Sequence, residues 1–76
     1  MQSLPVETES VSIVVNGRPL DVSAGTSVAE LLLQLDLEPR HVAVEINLDL
    51  VPRARHGERQ LAAGDRVEVV TLVGGG

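Results

Sequence analysis

The residues best placed for chemistry are the last three. Gly74-Gly75-Gly76 follows directly on an unbroken β-rich run, Arg66-Val67-Glu68-Val69-Val70-Thr71-Leu72-Val73. A strand that runs straight into glycines carries the terminal carboxyl of Gly76 on a narrow arm, with no Cβ atoms to obstruct entry into another protein's active site. Three extended residues reach about 10 Å past the strand, enough to thread a channel while the folded body stays outside. Gly76 is therefore the candidate reactive residue, with Gly74 and Gly75 as the threaded tail. Taken alone, the same glycines also fit a frayed end or an expression scar. The rest of the chain decides between these readings.

No other residues make a convincing reactive set. Cysteine is absent, which removes disulfides, thiolate metal sites and thiol nucleophiles; sulfur handled by this chain is not held as a cysteine persulfide. His41 and His56 fall on expected loops without spaced carboxylate or cysteine companions, so they read as surface histidines rather than metal ligands or triad members. Asp49, Glu58 and Asp65 read as turn and solubility residues, and Arg53-Ala54-Arg55-His56 as solvated loop charge. No glycine-rich loop ends in Lys-Ser or Lys-Thr ahead of a helix, so the chain is expected to bind no nucleotide, cofactor or metal itself. A carboxylate is a poor electrophile, so reaction at the terminal carboxyl needs an activating step that supplies a leaving group. The chain is then the substrate of that step, not its enzyme.

Composition narrows the partners. Seventy-six residues make one small domain. Aromatic residues are absent, so the core is aliphatic and no base-stacking platform exists. A net charge of −5 argues against nucleic acid or an anionic membrane and favours a partner with a basic surface. All 6 basic residues are arginine; without lysine, an activated carboxyl cannot form homopolymers through lysine on another copy. The first ten residues contain Glu7 and Glu9 and have neither a basic nor an apolar signal region, and no window approaches the length of a membrane span. The expectation is a cytoplasmic protein, monomeric when free, with a flexible segment over 1–10, of which Leu4, Pro5 and Val6 could pack on an edge, a domain over 11–73 and a flexible tail over 74–76.

The elements that must carry the tail are readable. Val11–Val15 and Arg18–Val22 flank Asn16-Gly17, the strongest short hairpin signal, and Pro19 assigns the second strand to a sheet edge. Ser27-Val28-Ala29-Glu30 has capping-box spacing and opens a helix from Val28 to about Leu35. Its Val28, Leu31, Leu32 and Leu35 form one apolar face, Leu33 projects away, and Pro39 ends the segment. Val42–Ile46 alternates as a third strand with Val42, Val44 and Ile46 inward. A short edge strand at Leu50-Val51, a core plug at Leu61 and a turn at Ala63-Gly64-Asp65 precede the last strand, whose Val67 and Val69 share inward parity with Ile13 and Val15. This order predicts an α+β roll, a mixed sheet of four to five strands with one covering helix. On the uncovered face Val14, Val70 and Leu72 are apolar where solvated positions should be polar. They and Val73 are the expected partner interface, a greasy patch leading to the tail; coverage by the N-terminal segment is the alternative.

Val15-Asn16-Gly17, Gly25-Thr26-Ser27-Val28-Ala29-Glu30-Leu31-Leu32, Val42-Ala43-Val44-Glu45, Val51-Pro52-Arg53, Gly64-Asp65-Arg66-Val67-Glu68-Val69-Val70-Thr71 and the closing Val73-Gly74-Gly75-Gly76 together resemble the ThiS family of thiamine-biosynthesis sulfur carriers. The resemblance runs from Val11 to Gly76. It implies a ubiquitin-like β-grasp fold and a C-terminal glycine, Gly76 here, that an E1-like adenylyltransferase (ThiF-like) activates with ATP and magnesium. Conversion to a thiocarboxylate would follow, with a donor such as a cysteine desulfurase supplying the sulfur and a thiazole synthase (ThiG-like) receiving it. Two departures stand out: Asn47-Leu48-Asp49 replaces the family's usual Asn-Gly, and Leu72 stands where an aromatic is common. The alternatives are a carrier of another pathway, resembling the small subunit of molybdopterin synthase or serving cysteine synthesis, and a ubiquitin-like interaction module without carrier chemistry. The Val-Gly-Gly-Gly ending disfavours the molybdopterin alternative.

Overall fold

The computed structural model describes residues 9–72. Strands β1 (Ser10–Val15) and β2 (Arg18–Ser23) form an antiparallel hairpin in which Val15 faces Arg18. Asn16 and Gly17 both take left-handed φ, 49° and 82°, the geometry that the Asn-Gly pair supplies and that matches the twist of the strands it joins. The hairpin reaches further back than the sequence predicts. Ser10 pairs with Ser23, so it belongs to the sheet rather than to a flexible segment, and the Glu9 carbonyl, just outside the strand, accepts from the Ala24 N–H at 2.7 Å. The possible packing of Leu4, Pro5 and Val6, the end of the β-grasp domain at Val73, and the flexible tail over 74–76 lie outside the described residues.

Helix α1 (Val28–Gln34) starts at the predicted box: Ser27 Oγ accepts from the Glu30 N–H at 3.1 Å and Glu30 Oε1 from the Ser27 N–H at 2.9 Å. The two remaining amides of its first turn are met from far along the chain, Val28 N–H by the Arg59 carbonyl and Ala29 N–H by the His56 carbonyl, each at 2.9 Å. With all four groups satisfied, the helix start can be buried. Its end differs from expectation. Asp36 turns left-handed, φ 59°, while Leu37 N–H bonds to the Leu32 carbonyl and Asp36 N–H to the Leu33 carbonyl. That six-to-one and five-to-two pair closes the helix three residues before Pro39, which instead begins a short 3₁₀ turn, Pro39–His41.

Strand β3 (Val42–Ile46) pairs antiparallel with β5 (Arg66–Thr71) and with the short β4 (Asp49–Val51). A second 3₁₀ turn, Arg53–Arg55, leads from β4 towards Leu61. β5 also runs parallel to β1, Val14 beside Arg66 and Val15 beside Val67. The sheet order is β2-β1-β5-β3-β4, with Pro19 on one edge and the three-residue β4 at the other. The core consists of Ile13, Val22, Val28, Leu31, Leu32, Val42, Val44, Ile46, Val51, Leu61 and Val67, with Val15, Leu35 and Val69 packed against it. Leu33 points to solvent, as its helical position predicts. This five-stranded mixed sheet under one helix is the ubiquitin-like β-grasp fold.

Candidate functional site

β5 is the central strand, and what holds it determines how the chain leaves the sheet. On one side its ladder with β3 continues to Leu72, whose N–H bonds to the His41 carbonyl at 2.7 Å. On the other side β1 ends at Val15 and the chain turns away. Asn16 then extends the contact by itself: its N–H bonds to the Val67 carbonyl at 2.8 Å, its Oδ1 accepts from the Val69 N–H at 2.8 Å and its Nδ2 donates to the Val69 carbonyl at 3.2 Å. One side chain thus stands in for a missing strand residue. β5 is pinned on both sides up to Val69 and on the β3 side to Leu72, the last described residue before Val73 and Gly74–Gly76.

Along the uncovered face β5 presents Arg66, Glu68, Val70 and Leu72 in turn, charged at its start and apolar at its end. Val70 is 54% exposed and Leu72 50%, and Val70 faces half-buried Ala43. These two expected interface residues share one end of the sheet with the exit of the chain. Val14 does not join them. It is half-buried and lies beside Arg66 and Pro19, four residues of β5, or about 13 Å, from Val70. The parallel stagger of β1 against β5 separates positions that alternation alone makes equivalent. Val73 lies outside the described residues, as do Gly74, Gly75 and Gly76.

Two carboxylates border the apolar end. Glu45 and Glu68 are direct cross-strand partners on this face, and like charges at that spacing repel. A basic group from a partner placed between them relieves the repulsion. The pair concentrates part of the chain's net negative charge on this face.

Three polar side chains have roles that their types did not announce. Asp65, read as a solubility residue, is buried: its Oδ1 accepts from Asn47 Nδ2 at 3.0 Å, its Oδ2 from the Ala62 N–H at 2.8 Å, and Arg59 pairs with it at 3.4 Å. Asn47 also accepts from the Arg66 N–H at 3.0 Å, so this cluster sets where β5 begins. His56, read as a surface histidine, is 4% exposed, and its Nε2 lies 3.1 Å from the Val51 carbonyl. It ties β4 to the turn that caps α1; its Nδ1 is buried without a partner among the described residues. His41 is exposed as expected. Asn16 was legible as a turn residue, whereas its grip on a residue 53 positions away leaves no local signal.

Among the described residues no group of three or more His, Asp or Glu side chains could hold a metal ion, and no helix is long and apolar enough to cross a membrane.

Comparison with known proteins places these features in a family. The family model described as "ThiS family" matches residues 11–76. The sulfur carrier protein ThiS of Escherichia coli (strain K12) is 32% identical over 66 residues, 87% of this chain and 100% of its own length. A thiazole synthase of Paramagnetospirillum magneticum is 38% identical over 66 residues, also 87% of this chain, but the chain spans only 20% of that protein's length. The crystal structure of a thiamine biosynthesis protein (ThiS) from Geobacter metallireducens superposes with a TM-score of 0.75 at 32% identity, covering 87% of this chain and 100% of its own.

Proposed function

Because the chain belongs to the ThiS family, we propose that it is a sulfur carrier of thiazole biosynthesis whose reactive group is the carboxyl of Gly76. The carboxylate attacks ATP on an E1-like adenylyltransferase and expels pyrophosphate, leaving an acyl-adenylate. A sulfur nucleophile then forms the new carbon–sulfur bond as AMP departs, and the thiocarboxylate passes its sulfur to a thiazole synthase. The chain itself contributes no acid, base or nucleophile beyond that carboxyl; its work is presentation, with Gly74 and Gly75 as the tail that threads the active site.

The observation that carries this reading is the match of the family model through residue 76, taking in all three glycines, downstream of a strand pinned at Val69 by Asn16 and at Leu72 by His41. A rigid strand spends little conformational entropy in aiming the residues beyond it. The thiazole synthase as acceptor is supported by the likeness of this chain to a stretch covering 20% of the length of each of two proteins bearing that name. Val70 and Leu72 form the docking surface beside the tail, joined by Val73, and the Glu45–Glu68 pair receives a basic residue of the partner. Val14 belongs to a different part of the face. ATP and magnesium are bound by the activating enzyme, the sulfur comes from a donor such as a cysteine desulfurase, and the reactions take place in the cytoplasm.

The test is intact mass spectrometry after incubation with ATP, magnesium, a family-matched adenylating enzyme and a sulfur source. One carboxyl oxygen is exchanged for sulfur in the native chain, and a chain extended by a single alanine after Gly76 stays unmodified. An unchanged mass for the native chain would sink the proposal.

A further inference from the structure

The hydrogen-bond phase of β5 exposes a second feature at the same end of the sheet. Leu72 N–H bonds to the His41 carbonyl and Asn47 N–H to the Arg66 carbonyl, so the even-numbered residues of β5 are those that exchange bonds with β3. The odd-numbered residues turn their N–H and C=O groups to the opposite side. There the Val67 carbonyl is taken by the Asn16 backbone and both Val69 groups by the Asn16 side chain. Thr71 is the next residue in phase, exposed, and its N–H and C=O meet no partner among the described residues.

An unpaired strand edge invites pairing, and folded chains blunt such edges with proline or brevity. Both outer edges here are blunted: β2 contains Pro19, and β4 has 3 residues and stops at Pro52. The overhang of β5 beyond Asn16 carries no such device.

We propose that this edge is a strand-addition site: the enzyme that adenylates Gly76 lays an extended segment of its own beside β5, just beyond Asn16, and bonds to the Thr71 N–H and C=O through its backbone. The proposal rests on the carrier reading above. Its occupant is identified by reach and chemistry. Gly76 is four positions beyond Leu72, at most about 14 Å of extended chain, so an enzyme acting on Gly76 has its active site within that distance of the end of β5. A donor and an acceptor offered by one residue at strand spacing are matched by another extended backbone. Thr71 shares the inward parity of Val67 and Val69, so the partner residue opposite it projects to the helix side of the sheet. On that side Asn16 and Arg18 border a groove of about 670 Å³ whose apolar lining is Val15, Pro19, Leu20, Leu35 and Leu37. An aliphatic side chain opposite Thr71 fits this chemistry.

The experiment is residue-resolved amide hydrogen exchange by NMR on the full chain, free and bound to a family-matched adenylating enzyme with ATP and magnesium. The Thr71 amide is expected to exchange at least ~10-fold more slowly in the complex, as one added hydrogen bond implies. In parallel, Thr71→Pro removes the outward N–H without touching the β3 ladder and raises KM for adenylation ~10-fold at unchanged kcat. Adenylation with the Thr71 amide still exchanging at its free-chain rate overturns strand addition and leaves the carrier reading standing. Absence of any adenylate overturns both. A Thr71 amide already protected in dilute free chain assigns the edge to this chain's own residues, and protection that grows with concentration assigns it to a second copy; either overturns the proposal.

Discussion

The side-chain amide of Asn16 brackets the backbone of Val69, accepting from its N–H at 2.8 Å and donating to its carbonyl at 3.2 Å. A turn residue of the first hairpin thereby acts as the last rung of the β1–β5 ladder. Loss of the amide is expected to loosen the end of β5 from which the tail departs. Asn16→Ala removes both bonds and places a Cβ-bearing residue without side-chain compensation at φ 49°, costing about 2 kcal/mol. Asn16→Gly removes the bonds but tolerates the backbone, costing about 1 kcal/mol. Urea unfolding of the two variants separates the terms; equal losses would show that the left-handed backbone carries no cost.

Asp65 is expected to matter more than its ion-pair partner. Asp65→Ala leaves the Ala62 N–H and the Asn47 amide without their acceptor and destabilises by about 2–3 kcal/mol. Arg59 is partly exposed, so Arg59→Ala costs under about 1 kcal/mol. Thermal unfolding of both variants checks the order, and a larger loss for Arg59→Ala would reverse the assignment.

Leu48 is 88% exposed and holds φ 73°, a conformation that suits glycine. Leu48→Gly is therefore expected to stabilise the chain by about 1 kcal/mol, because the strain relieved is not offset by any lost burial. A fall in the urea midpoint would contradict this.

The proposed docking at the tail end of the sheet would make adenylation kinetics sensitive to position. Val70→Asp and Leu72→Asp are expected to raise KM with little change in unfolding temperature, by roughly 10-fold each for an apolar contact made in the complex. Val14→Thr, on the same face but about 13 Å away, leaves KM unchanged. An equal effect at all three positions would restore Val14 to the interface.

Charge on that face has an expected sign. Glu68→Gln removes the repulsion with Glu45 and stabilises the free chain by about 0.5 kcal/mol, while raising KM at low ionic strength because the partner's basic residue loses a counter-charge. A KM that stays constant from low to high salt would show that no such residue docks there.

Much of this protein is legible in one dimension because short-range rules govern it. The Asn16-Gly17 turn, the Ser27–Glu30 box, the inward parity of Val42, Val44 and Ile46, and the edge position of Pro19 each depend on residues within a few positions of one another. The same locality explains the misreadings. Pro39 looks like the helix stop, but Asp36 can take the left-handed conformation and ends the helix first. His56 and Asp65 look solvated because polar type favours the surface, yet each is buried: Asp65 accepts from Asn47 Nδ2 and the Ala62 N–H, and His56 Nε2 meets the Val51 carbonyl.

The sequence by itself made Gly76 the candidate reactive residue: the lack of cysteine and of a phosphate-binding loop leaves no competing reactive set, and no folding is needed to see it. It also determined the elements, since hydrophobic period and capping are local. Only the tertiary structure decided which of those elements meet. The parallel stagger of β1 against β5 separates Val14 from Val70, brings Asn16 to Val69 and leaves the Thr71 edge unpaired among the described residues. Register between strands more than 50 residues apart depends on how the helix and the crossover fill the core, and no window of sequence contains that information.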